Sequence, residues 1–444
     1  MPQKIIFHVD INSYFATLLQ QENPYLRNKP IGVIKDGGRT CIIAASKEAK
    51  KFGVATGSRA VEAKKLCPQI MLIPASFERC LDATKRLQHI FQNISPQVYI
   101  YSLDEAFVDL THCREHLFPI EKYKTLTEIG TYIQQCIFNE LGTTVTSNVG
   151  IGPNRLLAKL ASEIAPKGSV LHINDSNKDG YLASVSFDEV CGIGYRLSKK
   201  LALLNVTTPY QIRFFSAEEL ESYVGPYWAK ELLKIAYGEE PELLARIDSP
   251  QKPYMQSVGR SITGYRAYHP KKDRSQIISI LYNLSLEIID KVRTMQLAGR
   301  HFSISLLGSR NGLQKNTQPT GKWGDQPDQY LQHSPYWSNH ITLKAPINHA
   351  QELQQYISHL FKDWPADFSV IKFSVRLSLL EPHQQDQLLP SWHKQEKLQT
   401  ALDAIHKKHG LFTVRPARIQ KEHLIRPEVT GFLGDRTYQL RTDS

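Results

Sequence analysis

Three carboxylates stand where apolar segments end. Asp10 closes the run IIFHVD at 5–10, and Asp104 and Glu105 separate 98–102 from 106–110 within YSLDEAFVDL. Acidic side chains are seldom buried without a partner or a metal. Three of them at the ends of strands able to pair therefore form one candidate site. Hard oxygen donors suit Mg²⁺, which takes one or two carboxylates together with waters and substrate phosphates. Two such ions can clamp the attacking and leaving oxygens of an in-line phosphoryl displacement. Solvated loop acids sharing no site are the other reading of the same residues.

Cations and amides suited to a polyphosphate lie nearby in sequence. Ile11-Asn12-Ser13-Tyr14-Phe15 makes a corner that opens a helix, whose first amides can meet phosphate oxygens, with aromatic Phe15 just inside. Lys47 and Lys50 are three apart and share a helix face, and Lys159 and Lys167 follow in GPNRLLAKLASEIAPKG. Such charges answer the negative charge that gathers on a leaving pyrophosphate. Gly192 and Gly194 precede Ser198-Lys199-Lys200, as in a helix-hairpin-helix turn whose amides approach a phosphate backbone. Each of these taken alone also reads as a core ring, a solvated lysine face or a plain turn.

The elements that must position these groups are a strand over 5–10, a helix capped by Asn12 or Ser13, and strands over 98–102 and 106–110. Helical spacing follows at 125–141 and 155–164, an α+β mixture. From about 186 to 240 the chain reads as short helices with short loops, and the proline-bearing stretch 241–256 reads as a linker. Beyond it the pattern predicts strand 257–265, helix 275–295, strand 301–307, strand 340–344, helix 350–361 and strand 368–379. That is the order βαββαβ, with a polar loop over 310–339.

At 444 residues the chain has room for three or four domains, and 41% hydrophobic with 22% charged residues excludes a disordered, collagen-like or fibrous protein. The net charge is +11, and residues 257–444 hold 25 Lys/Arg against 16 Asp/Glu, so the excess sits in the C-terminal part and points to an anionic partner, nucleic acid first. No stretch approaches the ~18 apolar residues of a membrane span, and MPQKIIFHVD does not read as a signal peptide. The six cysteines have no paired metal spacing and read as reduced, mostly buried thiols of a cytoplasmic protein.

In their order along the chain these segments resemble the Y-family DNA polymerases, the lesion-bypass enzymes, of bacterial type. HVDINSYFA at 8–16 is similar to the family's opening metal motif, KEAKKFGVATGSRAVEAKKLCP at 47–68 to its fingers segment, and YSLDEAFVDL to its acidic hairpin. NVGIGPNRLLAKLASEIAPKG at 148–168 resembles the closing palm helix, GIGYRLSKKL the thumb hairpin, and SVGRSITGYR at 257–266 the start of the little finger. The resemblance implies an α+β multidomain right hand. Its palm, a mixed sheet plus helices, spans 1–20 and 78–168, with small fingers at 21–77. A helical thumb with the helix-hairpin-helix spans 169–240, a linker 241–256, a βαββαβ little finger 257–418 and a tail 419–444.

It implies template-directed, two-metal nucleotidyl transfer, low in fidelity and distributive, in DNA damage tolerance. Two Mg²⁺, replaceable by Mn²⁺, would be held by Asp10, Asp104, Glu105 and the Ile11 carbonyl. Phe15 would be the steric gate against a 2′-hydroxyl. Lys47, Lys50, Lys159, Lys167 and the amides of Tyr14 and Phe15 would hold the triphosphate, and Ala44 and Ala45 would line the nascent base pair. Gly192, Gly194, Lys199, Lys200, Arg260 and Arg266 would contact DNA. Gln387, Leu388, Leu389 and Trp392 stand where relatives can carry a sliding-clamp peptide, here with Pro390 inside it. The implied protein is a cytoplasmic monomer, its partners primer-template DNA and deoxynucleoside triphosphates, with no membrane. The other function class is a non-catalytic DNA-binding relative acting as a scaffold in a mutagenesis complex. The sequence departs from the family in having Asn12 for a frequent second Asp, Lys47 for a common tyrosine, Lys50 for an arginine, and Lys167 after rather than before its proline.

Overall fold

The computed structural model describes residues 4–34, 41–113, 123–245, 257–309, 335–364, 368–382, 390–409, 413–414 and 416–417. The chain divides near residue 252 into two compact units. The first opens with β1 (Ile6–Ile11), α1 (Tyr14–Glu22), β2 (Ile31–Ile34), β3 (Ile42–Ala45), α2 (Lys47–Lys50), α3 (Ala60–Leu66), β4 (Met71–Pro74) and α4 (Phe77–Gln92). It continues with β5 (Val98–Ile100), β6 (Glu105–Asp109), α5 (Leu126–Leu141), β7 (Ser147–Gly152), α6 (Arg155–Ile164) and β8 (Val170–His172). Short helices complete it: α7 (Lys178–Ser184), α8 (Tyr195–Ala202), α9 (Ala217–Val224), α10 (Pro226–Ala236) and α11 (Glu242–Ala245).

Strand β1 is the middle of a five-stranded sheet ordered β5-β6-β1-β7-β8. Its residues are buried on both faces, Asp10 alone being intermediate, which is why it reads as a continuous apolar run rather than an alternation. Helix α6 lies directly on this sheet. A Cβ on Gly150 of β7 would run into the Ala158 carbonyl and the Ser162 amide, so only glycine lets helix and strand approach this closely. A smaller sheet, ordered β3-β2-β4, packs Ile34, Ile42 and Ala45 against Ala49, Val54, Ala63 and Ile70. The short helices bury Leu197, Leu201, Ile212, Leu220, Leu232 and Ile235 in a core continuous with α6.

The second unit comprises β9 (Ser257–Tyr268), α12 (Arg274–Thr294), β10 (Leu297–Ser309), β11 (Tyr336–Ile347), α13 (Ala350–Leu360), β12 (Ser369–Pro382) and α14 (Pro390–His409). The sheet is antiparallel throughout, ordered β11-β10-β12-β9. Strand period two separates its faces. Val258, Phe302, Ile304, Leu306, Phe373, Val375 and Leu377 turn to a core filled by Ile277, Leu281, Leu284, Ile288, Leu353 and Ile357 of the two helices. The alternate positions form cross-strand rows, Ser257–Ser378–His301–Thr342, Gly259–Arg376–Ser303–His340 and Ser261–Ser374–Ser305–Ser338.

The βαββαβ order expected from the sequence is the one observed, with longer strands. Residues 336–339, expected in a loop, are strand, because β11 extends to pair with β10; the loop's 310–334 lie outside the described residues. The linker reading also shortens: 242–245 form α11, whose Leu244 is buried in the α6 core, and 246–256 lie outside the described residues, as does the tail after 418. Helix α14 was not expected. Pro390 stands at its start, where a proline's missing N–H costs nothing. All six cysteines are free, but only Cys67 and Cys80 are buried and Cys41 is exposed, which corrects the mostly buried reading. No helix among the described residues is long and apolar enough to cross a membrane.

Candidate active site

Pairing of β1 with β6 sets Asp10 directly across from Glu105, and the Ile11 amide donates to the Asp104 carbonyl at 2.9 Å. Register alone thus gathers the three carboxylates at one sheet rim. By strand parity Ile6, His8 and Asp10 share a face with Glu105 and Phe107, the face that α6 covers. Lys159 of α6 reaches Glu105 Oε2 at 2.5 Å, and its ammonium lies 5.2 Å from the Tyr101 ring centroid. Fully buried His8 holds its Nε2 3.4 Å from the same oxygen and its Nδ1 2.6 Å from the Ser162 hydroxyl.

The three acids are therefore unequal. Burial would raise Glu105, but the adjacent His8 ring and the charge of Lys159 win and hold it at about 2. Asp10 is pushed up to about 7, first by burial and then by the charges of Glu105 and Asp104. Asp104 rises to about 6, again chiefly through burial, although the Ser102 hydroxyl 2.5 Å from its Oδ1 opposes the shift. Glu105 is neutralised by its neighbours, while Asp10 and Asp104 repel each other in a poorly solvated place. Hard oxygen donors carrying such crowded like charge fit a divalent cation of the Mg²⁺ type. Among the described residues no three acidic, His or Cys groups converge as a closed cage, and Glu105 is turned onto Lys159 and His8.

Facing these acids is a cluster of cations at the mouth of α1. Ser13 holds the left-handed conformation (φ 52°, ψ 41°), which swings the chain from β1 into the helix within a single residue. A non-glycine residue there is strained, and such strain gathers at functional sites. The Lys50 ammonium donates to Ser13 Oγ at 2.8 Å and that of Lys47 to Thr146 Oγ1 at 3.3 Å. Lys50 is held below the usual lysine range by burial and then by Lys167, with Lys47 adding to this and Asp10 opposing it, so Lys50 feels both other ammonium groups and Asp10. Lys167 lies on a turn whose Gly168 (φ 83°) gives its amide to Asn148 Oδ1 at 2.8 Å. Within α1 the Tyr14 hydroxyl is tied inward to the Cys80 carbonyl (2.6 Å) and Thr84 (2.9 Å), and the buried Phe15 ring stands edge-on to it at 5.8 Å. Ala44 and Ala45 are buried on β3.

Two expected cations stand elsewhere than expected. Lys159 closes on Glu105 instead of standing among the other lysines. Arg260, expected on DNA, faces the core of the second unit, where its guanidinium meets Glu287 of α12 at 2.8 Å with both side chains 1% exposed. Strand parity is the reason: Gly259 and Ser261 share the open face with Arg376, so Arg260 must face the helices. Arg266 stands further along β9. Gly192 (φ 91°) and Gly194, the N-cap of α8, form the expected turn with Lys199 and Lys200 exposed, but a single 3-10 turn, Phe187–Glu189, precedes them rather than a helix. Gln387, Leu388 and Leu389 lie outside the described residues, and Trp392 belongs to α14.

His8, Ser162, Thr146, Asn148 and Arg376 were not singled out in the sequence. His8 had a signal, a polar residue on Asp10's face of an apolar strand, and so had Arg376, in the alternation Lys372, Ser374, Arg376, Ser378. Thr146 had none, because only the fold brings it to Asn12.

The sequence matches the impB/mucB/samB family over residues 9–163 and the C-terminal domain of that family over 255–389. A protein named DNA polymerase IV from Xanthomonas euvesicatoria pv. vesicatoria is 33% identical over 222 residues, 50% of this chain and 60% of that protein. One of the same name from Gluconobacter oxydans is 32% identical over 225 residues, 51% of this chain and 61% of that protein. The chain thus spans about 60% of the length of the curated relatives it matches. A solved Y-family DNA polymerase chimera, 21% identical, superposes with a TM-score of 0.67 over 84% of this chain and 98% of its own, a likeness of fold. With both family regions matched in order over more than half its length, the chain belongs to the impB/mucB/samB family, on a Y-family polymerase fold.

Proposed function

We propose that the chain is a template-directed DNA polymerase of the translesion type, joining a primer 3′-oxygen to the α-phosphorus of a deoxynucleoside triphosphate as pyrophosphate leaves. The observation that carries this is a pair of half-buried, mutually repelling carboxylates, Asp10 and Asp104, with Asp10 in electrostatic reach of Lys50 and Lys167, and Lys50 in turn of Lys47, beside the start of α1. Acids alone would suit many hydrolases. Acids facing an anion-seeking cluster suit the transfer of a polyphosphate substrate. An intact set of carboxylates also disfavours a purely scaffolding role.

Asp10, Asp104 and Glu105, with the Ile11 carbonyl, would hold two Mg²⁺ or Mn²⁺, which when bound offset the carboxylate charge, acidify the attacking hydroxyl and brace the leaving oxygens. Lys47, Lys50, Lys167 and the first amides of α1 hold the triphosphate in line. Phe15, fixed by its packing on Tyr14, lies against the sugar and leaves no room for a 2′-hydroxyl. Ala44 and Ala45 present small side chains to the new base pair, which tolerates a damaged template base. The serine-rich open face of β9–β12, with Arg376, Lys372 and His340, grips duplex phosphates without reading sequence, as do Lys199 and Lys200 at the Gly192–Gly194 turn. In this reading the domains are palm, fingers, thumb and little finger as expected from the sequence, the segment 387–392 meets a sliding clamp, and the protein works as a cytoplasmic monomer.

The test is extension of a primer on an undamaged template. The reading expects addition of a few nucleotides per encounter, loss of addition on chelation, and affinity for DNA that falls steeply with salt. Salt-sensitive DNA binding with no extension in either Mg²⁺ or Mn²⁺ contradicts it.

A further inference from the structure

We propose that Thr146 is a positioning residue that fixes the Lys47 ammonium at the phosphate end of the site, and that Asn12 holds Thr146 for that purpose; this rests on the polymerase reading above. Asn12, two residues beyond Asp10, is buried and touches Thr146 twice. Its amide N–H donates to the Thr146 carbonyl at 2.8 Å, and its side-chain Nδ2 donates to Thr146 Oγ1 at 3.3 Å and to Asn148 Oδ1 at 3.2 Å. The orientation of Asn148 is set independently. Its Nδ2 donates to the carbonyls of Ser162 (2.8 Å) and Ala165 (3.1 Å), while its Oδ1 accepts from Gly168. Asn148 must therefore offer Asn12 an acceptor, and Asn12 must answer with its NH₂ group. It does so even though its own buried Oδ1 meets no hydrogen-bond donor among the described residues.

With one amide proton on Asn148 and the other on Thr146, a hydroxyl lone pair remains for the Lys47 ammonium, which donates to it at 3.3 Å. The two departures from the family pattern noted in the sequence, Asn12 and Lys47, thus meet at one hydroxyl. A carboxylate at position 12 has no proton for either Asn148 or Thr146. A lysine carries its charge on a flexible four-carbon stem and loses rotamer freedom on gripping an anion. One already located by Thr146 loses less, so the device acts on nucleotide affinity and leaves the chemical step alone. The same Asn148 holds the turn that carries Lys167, so the Lys47 ammonium and the backbone beside Lys167 are tied to one side-chain network.

The experiment compares wild type, Thr146→Val, Thr146→Ser, Lys47→Met and the Val/Met double variant. Single-nucleotide insertion gives KM and kcat, calorimetric titration with a deoxynucleoside triphosphate gives Kd, and thermal unfolding checks that each variant is folded. Valine keeps the shape of threonine and removes the hydroxyl. We expect Thr146→Val to raise KM and Kd about fivefold with kcat within about twofold, a loss in the range of one hydrogen bond. Thr146→Ser restores both constants. Lys47→Met raises KM and Kd at least as much, and adding Thr146→Val to it has no further effect. Unchanged KM and Kd in a folded, active Thr146→Val protein overturns the proposal alone, as do additive effects in the double variant or a loss confined to kcat. A wild-type protein that neither extends primers nor binds nucleotide overturns the polymerase reading and this proposal together.

Discussion

The two large sheets handle charge in opposite ways. In the first unit, Asp10 and Asp104 sit at the rim of the five-stranded sheet with like charges crowded together and their carboxyls pushed up to about 7 and about 6. In the second, the charged pair under the β9–β12 sheet, Arg260 and Glu287, is matched at 2.8 Å and shut away from water. Asp10 and Arg260 are both charged side chains on β-strands packed by a helix. Repelling charge held in place costs folding energy and calls for a ligand; paired charge only helps to specify a core. This contrast separates a site from a structural pair here, where residue type alone does not.

The comparison breaks first at Asp10. Asp10→Asn removes a group whose raised carboxyl marks a charge disfavoured by folding, so at neutral pH the variant should melt at a higher temperature than wild type. Primer extension should fall roughly a thousandfold or more. A lower melting temperature would mean that the acid is a structural partner after all. Glu287→Gln should do the reverse. Removing the Glu287 charge beside the buried Arg260 costs about 3 kcal/mol, read as a lowered denaturation midpoint of the second unit, with the chemistry of the first unit intact.

The glycines sharpen the same contrast. Gly150→Ala drives a Cβ into the backbone of α6 and should destabilise the first unit by about 3 kcal/mol, displacing Lys159 and Ser162 with it. Gly259→Ala, on the open face where the nearest atoms are 3.5 Å away, should change stability by no more than about 0.5 kcal/mol. Chemical denaturation of both variants decides this, and equal losses would refute the close packing of α6. The smallest effect belongs to the open face. Arg376→Ser should weaken DNA binding uniformly across sequences and lower the salt slope by about one, seen by fluorescence anisotropy across a salt series.

Much of the architecture was legible because it rests on local patterns: the apolar run into Asp10, the glycine-flanked helix at 155–164 and the βαββαβ order. The acidic site was legible because strand pairing follows directly from those runs. The destinations of long basic side chains were not. Lys159 and Lys167 differ by eight positions in one helix-and-turn segment, yet one meets Glu105 and the other the lysine cluster, which depends on where α6 crosses the sheet. Arg260 reads as a DNA contact because its motif outweighs the parity of its strand, and helix α14 escapes because Pro390 reads as part of a peptide at 387–392 rather than as a helix start. Thr146 depends on a contact between residues 134 positions apart, which no local pattern signals.

The central claim, that these carboxylates carry nucleotidyl transfer, is tested most directly by comparing wild type with Asp104→Ala in primer extension and DNA binding under the same salt. The account predicts extension by wild type, near-total loss of it in the variant, and unchanged affinity for primer-template DNA. Retained extension by Asp104→Ala would contradict it.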